Sequence, residues 1–116
     1  MEDCVFCRNI PRVMENDLAY AVYDINPVSR GHALVISKRH VAQYFDLTPE
    51  ETAAIHQLLS RLKVLLDKDH SPDGYNVWMN CGEVAGQVVM HAHVHLIPRY
   101  KGQVLHIREH LKGNMA

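Results

Sequence analysis

No apolar run among the 116 residues approaches the roughly 20 needed to cross a bilayer, so a membrane-spanning helix is not expected. Neither sign of charge prevails: 12 Lys and Arg stand against 13 Asp and Glu, and the basic residues are scattered apart from Lys38-Arg39. No basic stripe is left to grip a nucleic-acid polymer, and neither that partner nor a membrane is expected. Cysteine is scarce and odd in number, at three. That count argues against a disulfide framework and fits a reducing compartment. Met1-Glu2-Asp3 is acidic and lacks the basic start and apolar stretch of a secretory signal, so a cytoplasmic location is the expectation. Repeats, low-complexity tracts and linkers are missing as well, which leaves a single domain over 1–116.

Histidine, by contrast, is abundant and patterned. His91, His93 and His95 occupy every second position of the run 88–97, while Met90, Ala92, Val94 and Leu96 fill the other register. Strict alternation predicts a half-buried strand, with the apolar set toward a core and the histidines in one row on the opposite face. A polar strand face that merely uses histidine is the bland reading. Histidine is an unusual choice for plain solvent contact, however. It suits a place where a neutral nitrogen must act as nucleophile, proton donor or metal ligand.

Around this segment the chain reads as strands and one helix. Cys4-Val5-Phe6-Cys7 forms a tight knuckle, 18–25 a strand, 26–31 a turn with Pro27 and Gly31, and 32–37 a strand returning antiparallel. Thr48-Pro49-Glu50-Glu51 is a capping box with proline at the first helical position. Ile55, Leu58, Leu59, Leu62, Leu65 and Leu66 continue at helical spacing to about Lys68. Ser71-Pro72-Asp73-Gly74 ends that helix, 75–80 alternates as a strand, and 81–87 is a loop with Gly82 and Gly86. The order β-β-α-β-β predicts an α+β domain: an antiparallel sheet of about five strands, one long helix and a short N-terminal element.

Two segments carry a family likeness. Gly86-Gln87-Val88-Val89-Met90-His91-Ala92-His93-Val94-His95, together with the stretch from Asp24 through Gly31-His32 to Lys38-Arg39-His40, resembles the histidine-triad (HIT) superfamily. The nearest branch is that of histidine-triad nucleotide-binding proteins and bacterial HIT hydrolases. The resemblance implies a HIT-like fold and a nucleophilic role for His93, attacking the α-phosphorus of a nucleotide. The outcome would be a nucleotidyl-histidine intermediate, which splits one displacement into two easier ones. It also implies that His95 contacts the phosphate and leaving group and can supply a proton, with His32 close by, so that His93, His95 and His32 form the catalytic set. Asp24 would hold ribose hydroxyls and Ile25 would wall the base. Asn80, Gly86, Gln87 and Val88 would surround the α-phosphate, with His93 and His95 counted in the nucleotide site too. Without the likeness, Asp24 reads as a turn residue and His32 as an ordinary strand start. Val88 departs from the Ser or Thr common in the family, which keeps the backbone N–H but removes a hydroxyl.

Cys4-x-x-Cys7 is a zinc half-site that needs two further ligands. A reduced thiol pair is the plainer alternative. The resemblance supplies His40 and His91 as the missing ligands of a structural zinc. No catalytic metal is expected. Function is thus read as hydrolysis at the α-phosphate of purine nucleoside phosphoramidates or dinucleoside polyphosphates. The rival readings are a non-catalytic nucleotide-binding adaptor and a metal-binding module with all three triad histidines as ligands. The broad helical stripe, with Tyr75, Val77, Trp78 and Met79 on the next strand, exceeds what a sheet with one covered face can bury. A symmetric homodimer is therefore expected.

Overall fold

The computed structural model describes residues 4–103. Met1–Asp3 and residues 104–116, the two ends of the expected domain over 1–116, lie outside the described residues. Five strands, β1 (Met14–Glu15), β2 (Ala19–Tyr23), β3 (Ala33–Ser37), β4 (Gly74–Trp78) and β5 (His93–Arg99), form one antiparallel sheet ordered β1-β2-β3-β5-β4. One helix, α1 (Pro49–His70), joins β3 to β4. The chain passes from α1 to the edge position of β4, and β5 then enters between β3 and β4.

The capping box forms as its residues dictate. Thr48 Oγ1 accepts from the Glu51 amide at 3.1 Å, and Glu51 Oε1 accepts from the Thr48 amide at 2.9 Å. Glu51 also receives the Arg39 guanidinium through two bonds of 2.8 and 2.9 Å. That fork ties the segment just before His40 to the start of α1. Ser71 ends the helix in the left-handed region at φ 48°, and Pro72 follows.

Alternation sorts the sheet into two faces, and both are covered. Ala19, Ala21, Ala33, Val35, Val94 and Leu96 meet Ile55, Leu58, Leu62 and Leu66 of α1. Alanine at three of these positions lets the helix lie close to the sheet. The other face carries two rows set by the strand register, Tyr20-Ile36-His93 and Val22-Leu34-His95-Trp78. Phe6 of the N-terminal knuckle packs onto Tyr20, Val22, Leu34 and Ile36. Because β3 is sandwiched between the layers, its residues are buried on both sides.

Four expectations need correction. The order is β-β-β-α-β-β, since Met14–Glu15 pairs with β2 but is too short to show alternation. The histidine strand begins at His93, not at Val88. The His91 amide bonds the Val89 carbonyl at 2.9 Å, a local turn that leaves Met90 40% exposed and delays the ladder. His91 therefore stands outside the row formed by His93 and His95. Finally, the sheet has a second covered face, and Ile55, Leu58, Leu62 and Leu66 are absorbed by the core. Outside that stripe Val64 of α1 is exposed at 70%, and on β4 Val77 is exposed at 63%.

Candidate active site and metal centre

β5 opens with His93, opposite Ile36 on the knuckle-covered face. Its Nδ1 lies 2.6 Å from the His91 carbonyl oxygen. A carbonyl can only accept, so Nδ1 carries the hydrogen and Nε2 keeps its lone pair. Nε2 is buried and has no hydrogen-bond partner among the described residues. Leaving such an atom unpaired costs about 1–3 kcal/mol, which makes it a candidate for chemistry rather than for packing. The Phe6 ring stands edge-on to His93, centroids 5.0 Å apart, and to His91 at 5.9 Å.

His95 sits one pleat further on, fully buried, with its ring 5.2 Å from that of His93. Its Nδ1 is 2.8 Å from Nε2 of His32. The Val28 amide donates to His32 Nδ1 at 3.1 Å. Asp24 accepts from the Asn26 amide through Oδ1 at 2.9 Å, closing the expected turn. Its Oδ2 is buried, 3.4 Å from His32 Nε2 and 4.0 Å from His95 Nδ1. The structure thus gathers Asp24, His32, His93 and His95 in one place.

Beside them lies an apolar cleft of about 610 Å³. Val5, Phe6, Ile10, Val22, Leu34 and Val89 supply much of its wall, and Asp24 and Asn26 bring polar groups to it. Ile25 and Val88 line it as well and are exposed, at 90% and 59%. Val5, Phe6 and Ile10 carry no signal for this role in the sequence, because the short knuckle and the irregular segment after it have no periodicity to read.

Asn80 and Gln87 are engaged with the loop itself. Asn80 Oδ1 accepts from the Trp78 indole N–H at 2.8 Å, and its Nδ2 donates to the Gly86 carbonyl at 3.3 Å. Gln87 is buried; it accepts from the Gly82 amide at 2.8 Å and donates to the Ala42 and Val89 carbonyls at 2.6 and 2.9 Å. Both amide hydrogens of Gln87 are thereby used, and its side chain shapes the backbone leading to His93. Gly86 takes φ 100°, a region that favours glycine.

The second cluster joins the knuckle to the sheet. Cys4 Sγ lies 3.3 Å and Cys7 Sγ 3.6 Å from His91 Nδ1, Cys7 Sγ is 3.1 Å from His40 Nδ1, and the two Nδ1 atoms are 3.1 Å apart. All four ligand atoms fall within 4.8 Å of one another. Zinc bonds of about 2.0 Å to nitrogen and 2.3 Å to sulfur place tetrahedral ligands roughly 3.3–3.8 Å apart, so the donor set fits that ion. His91 Nε2 donates to the Ser37 carbonyl at 2.6 Å, which turns the Nδ1 lone pair toward the sulfurs. Burial holds His91 below its ordinary pKa, outweighing the Ser37 carbonyl, with His40 and His93 adding to the effect. The neutral ring is the form a metal binds. Cys81 is outside this cluster.

Comparison with known proteins agrees with this geometry. The sequence profile of the HIT domain matches residues 9–102. The chain is 40% identical over 102 residues to adenosine 5'-monophosphoramidase hnt1 of Schizosaccharomyces pombe, covering 83% of this chain and 74% of that protein. It is 34% identical over 116 residues to adenylylsulfatase HINT3 of Arabidopsis thaliana, covering 95% of this chain and 59% of that longer protein. A zinc-bound histidine triad family protein from Mycobacterium smegmatis superposes with a TM-score of 0.82 at 34% identity, covering 90% of this chain and 81% of that one.

Proposed function

The chain belongs to the HIT domain family, and from that premise we propose that it is a nucleotide-binding hydrolase acting at the α-phosphate of a purine nucleotide derivative. The observation that carries the reading is His93 Nε2, a buried lone pair with its tautomer fixed by the His91 carbonyl. The names of two relatives, a monophosphoramidase and an adenylylsulfatase, favour small adenylyl derivatives. A nucleoside phosphoramidate is accordingly the first substrate to test and a dinucleoside polyphosphate the second.

In this reading the nucleoside occupies the apolar cleft. Asp24 Oδ2, which makes no hydrogen bond among the described residues, accepts from ribose hydroxyls. Ile25 and Val88 flank the nucleotide, Asn80 and the Gly86-Gln87 loop hold the backbone around the phosphate, and His95 lies against the phosphoryl oxygens. Nε2 of His93 forms a bond to the α-phosphorus while the bond to the leaving group breaks with its electron pair, and the departing atom takes up a proton. Water then attacks the same phosphorus, releases His93 and returns a proton to solvent. Only donors and a nucleophile are required, so turnover persists when magnesium is chelated.

Cys4, Cys7, His40 and His91 would hold a structural zinc. Bound there, the ion supplies a cross-link between knuckle and sheet. The same cluster disfavours the reading in which all three triad histidines are ligands, since His93 and His95 are outside it. Exposed Val64 and Val77, on α1 and edge strand β4, support a symmetric homodimer through that side.

The test is hydrolysis of a fluorogenic adenosine phosphoramidate beside diadenosine polyphosphate, with wild-type and H93A protein. Turnover in the wild type, its loss in a folded H93A protein, and a nucleotidyl adduct on His93 after quenching are expected. Nucleotide binding with no turnover of either substrate would favour the adaptor reading instead.

A further inference from the structure

Asp24, His32 and His95 form a second compact donor set among the described residues, with the two-histidine, one-carboxylate composition of many metal sites. One hydrogen bond argues against that use. The Val28 amide donates to Nδ1 of His32 at 3.1 Å, so Nδ1 must present a lone pair. A neutral His32 then carries its hydrogen on Nε2, the atom that faces both His95 and Asp24. A metal on Nε2 would demand an imidazolate or the loss of the Val28 bond. Protonating His32 would set an N–H against an N–H.

The constraint passes to the next ring. His32 Nε2–H lies 2.8 Å from His95 Nδ1, which must accept, so the hydrogen of His95 resides on Nε2. We infer that the Val28 amide, acting through His32, locks His95 as a neutral ring with its hydrogen on Nε2. His95 is then a hydrogen-bond donor to phosphoryl oxygen and not a source of protons, because giving up that hydrogen would leave an imidazolate. This inference rests on the proposed nucleotide site for its purpose and refines the proton-donating role that the family resemblance implies. His32 is a positioning residue in this scheme. Titratable groups beside the pair include Asp24, at 3.4 and 4.0 Å, and His93, ring to ring with His95 at 5.2 Å. Asp24 Oδ2 makes no hydrogen bond among the described residues, so the His32 hydrogen is directed to His95 at 2.8 Å.

Imidazole nitrogen spectra of the full-length, ¹⁵N-labelled protein test the lock without reference to turnover. Across about pH 5.5 to 8, where an ordinary histidine titrates, His95 should keep an unprotonated Nδ1 and a protonated Nε2. In H32Q, His95 should begin to titrate within about one unit of the ordinary value of 6.5. V28P, which removes the amide hydrogen and leaves the His32 side chain in place, should free His32 in the same way. A doubly protonated His95 at pH 6 in the wild type, or the opposite tautomer, overturns the inference. So does zinc titration that perturbs the His32 and His95 nitrogens at a second equivalent. A locked His95 in a protein that cleaves no nucleotide would count against the hydrolase reading and leave the lock standing.

Discussion

Gly31→Ala is the substitution whose cost can be worked most directly from the structure. Gly31 is the third residue of the turn closed by the His32 amide on the Ser29 carbonyl at 3.1 Å, and it adopts φ 88°. Holding an L-residue in the left-handed region costs about 1–2 kcal/mol. A Cβ at this position would also stand 3.0 Å from His70 Cδ2 and 3.1 Å from Pro98 Cγ. Pro98 is fully buried and cannot retreat, so overpacking adds about 1–3 kcal/mol. The total, about 2–5 kcal/mol, is a large share of the 5–15 kcal/mol that holds a typical domain. Urea unfolding of both proteins measures it. Two further variants divide the sum. Gly31→Asn keeps a Cβ but tolerates positive φ, so it should recover the backbone part alone. His70→Ala in the Gly31→Ala background should recover part of the contact. The Val28 amide immediately precedes this turn and His32 closes it, so folded Gly31→Ala protein should bind nucleotide more weakly. A loss below about 0.5 kcal/mol, within the range of an ordinary surface substitution, would show that this turn is not held as described.

Chelating the metal should lower the melting temperature before it changes the chemical step, with about one zinc per chain in protein purified under reducing conditions; zinc-free protein of unchanged stability would refute the centre. The Arg39 guanidinium, aided by the Thr48 amide, holds the Glu51 carboxyl at about 2 against an ordinary 4.5. Because that folded-state value is depressed, the contribution is complete above pH 4.5 and is lost as pH falls toward 2. Glu51→Gln should therefore cost about 1–3 kcal/mol at pH 7 and flatten the stability profile across the acid range; an unchanged profile would place the stabilisation elsewhere. Sedimentation at micromolar concentration should report twice the 13.3 kDa chain mass. Val64→Lys with Val77→Lys should shift it to monomer, whereas a wild-type monomer would contradict the pairing. These are cleaner probes than Trp78, whose indole N–H holds Asn80.

What the sequence determined by itself was whatever depends on neighbours along the chain. Helix α1 was legible because a capping box, a proline at its first position and a repeating apolar face are all local properties, and Pro49–His70 follows them within two residues of the expected end. The turn at Gly31 and the short knuckle at Cys4–Cys7 were legible for the same reason. Alternation placed a histidine strand but misjudged its start, because the turn that displaces His91 comes from a single backbone bond to Val89 that no side-chain pattern encodes.

Only the tertiary structure decided which histidine does what. Cys7 and His40 are 33 residues apart in sequence and Cys4 and His91 are 87, yet their donors meet because Phe6 seats the knuckle on the second face of the sheet. The tautomers of His91, His93 and His32 are set by the Ser37 carbonyl, the His91 carbonyl and the Val28 amide. Every residue but proline offers both such backbone groups, so the residue type does not announce them. Their directions are fixed by the fold alone, and with them whether each imidazole offers a lone pair or a hydrogen.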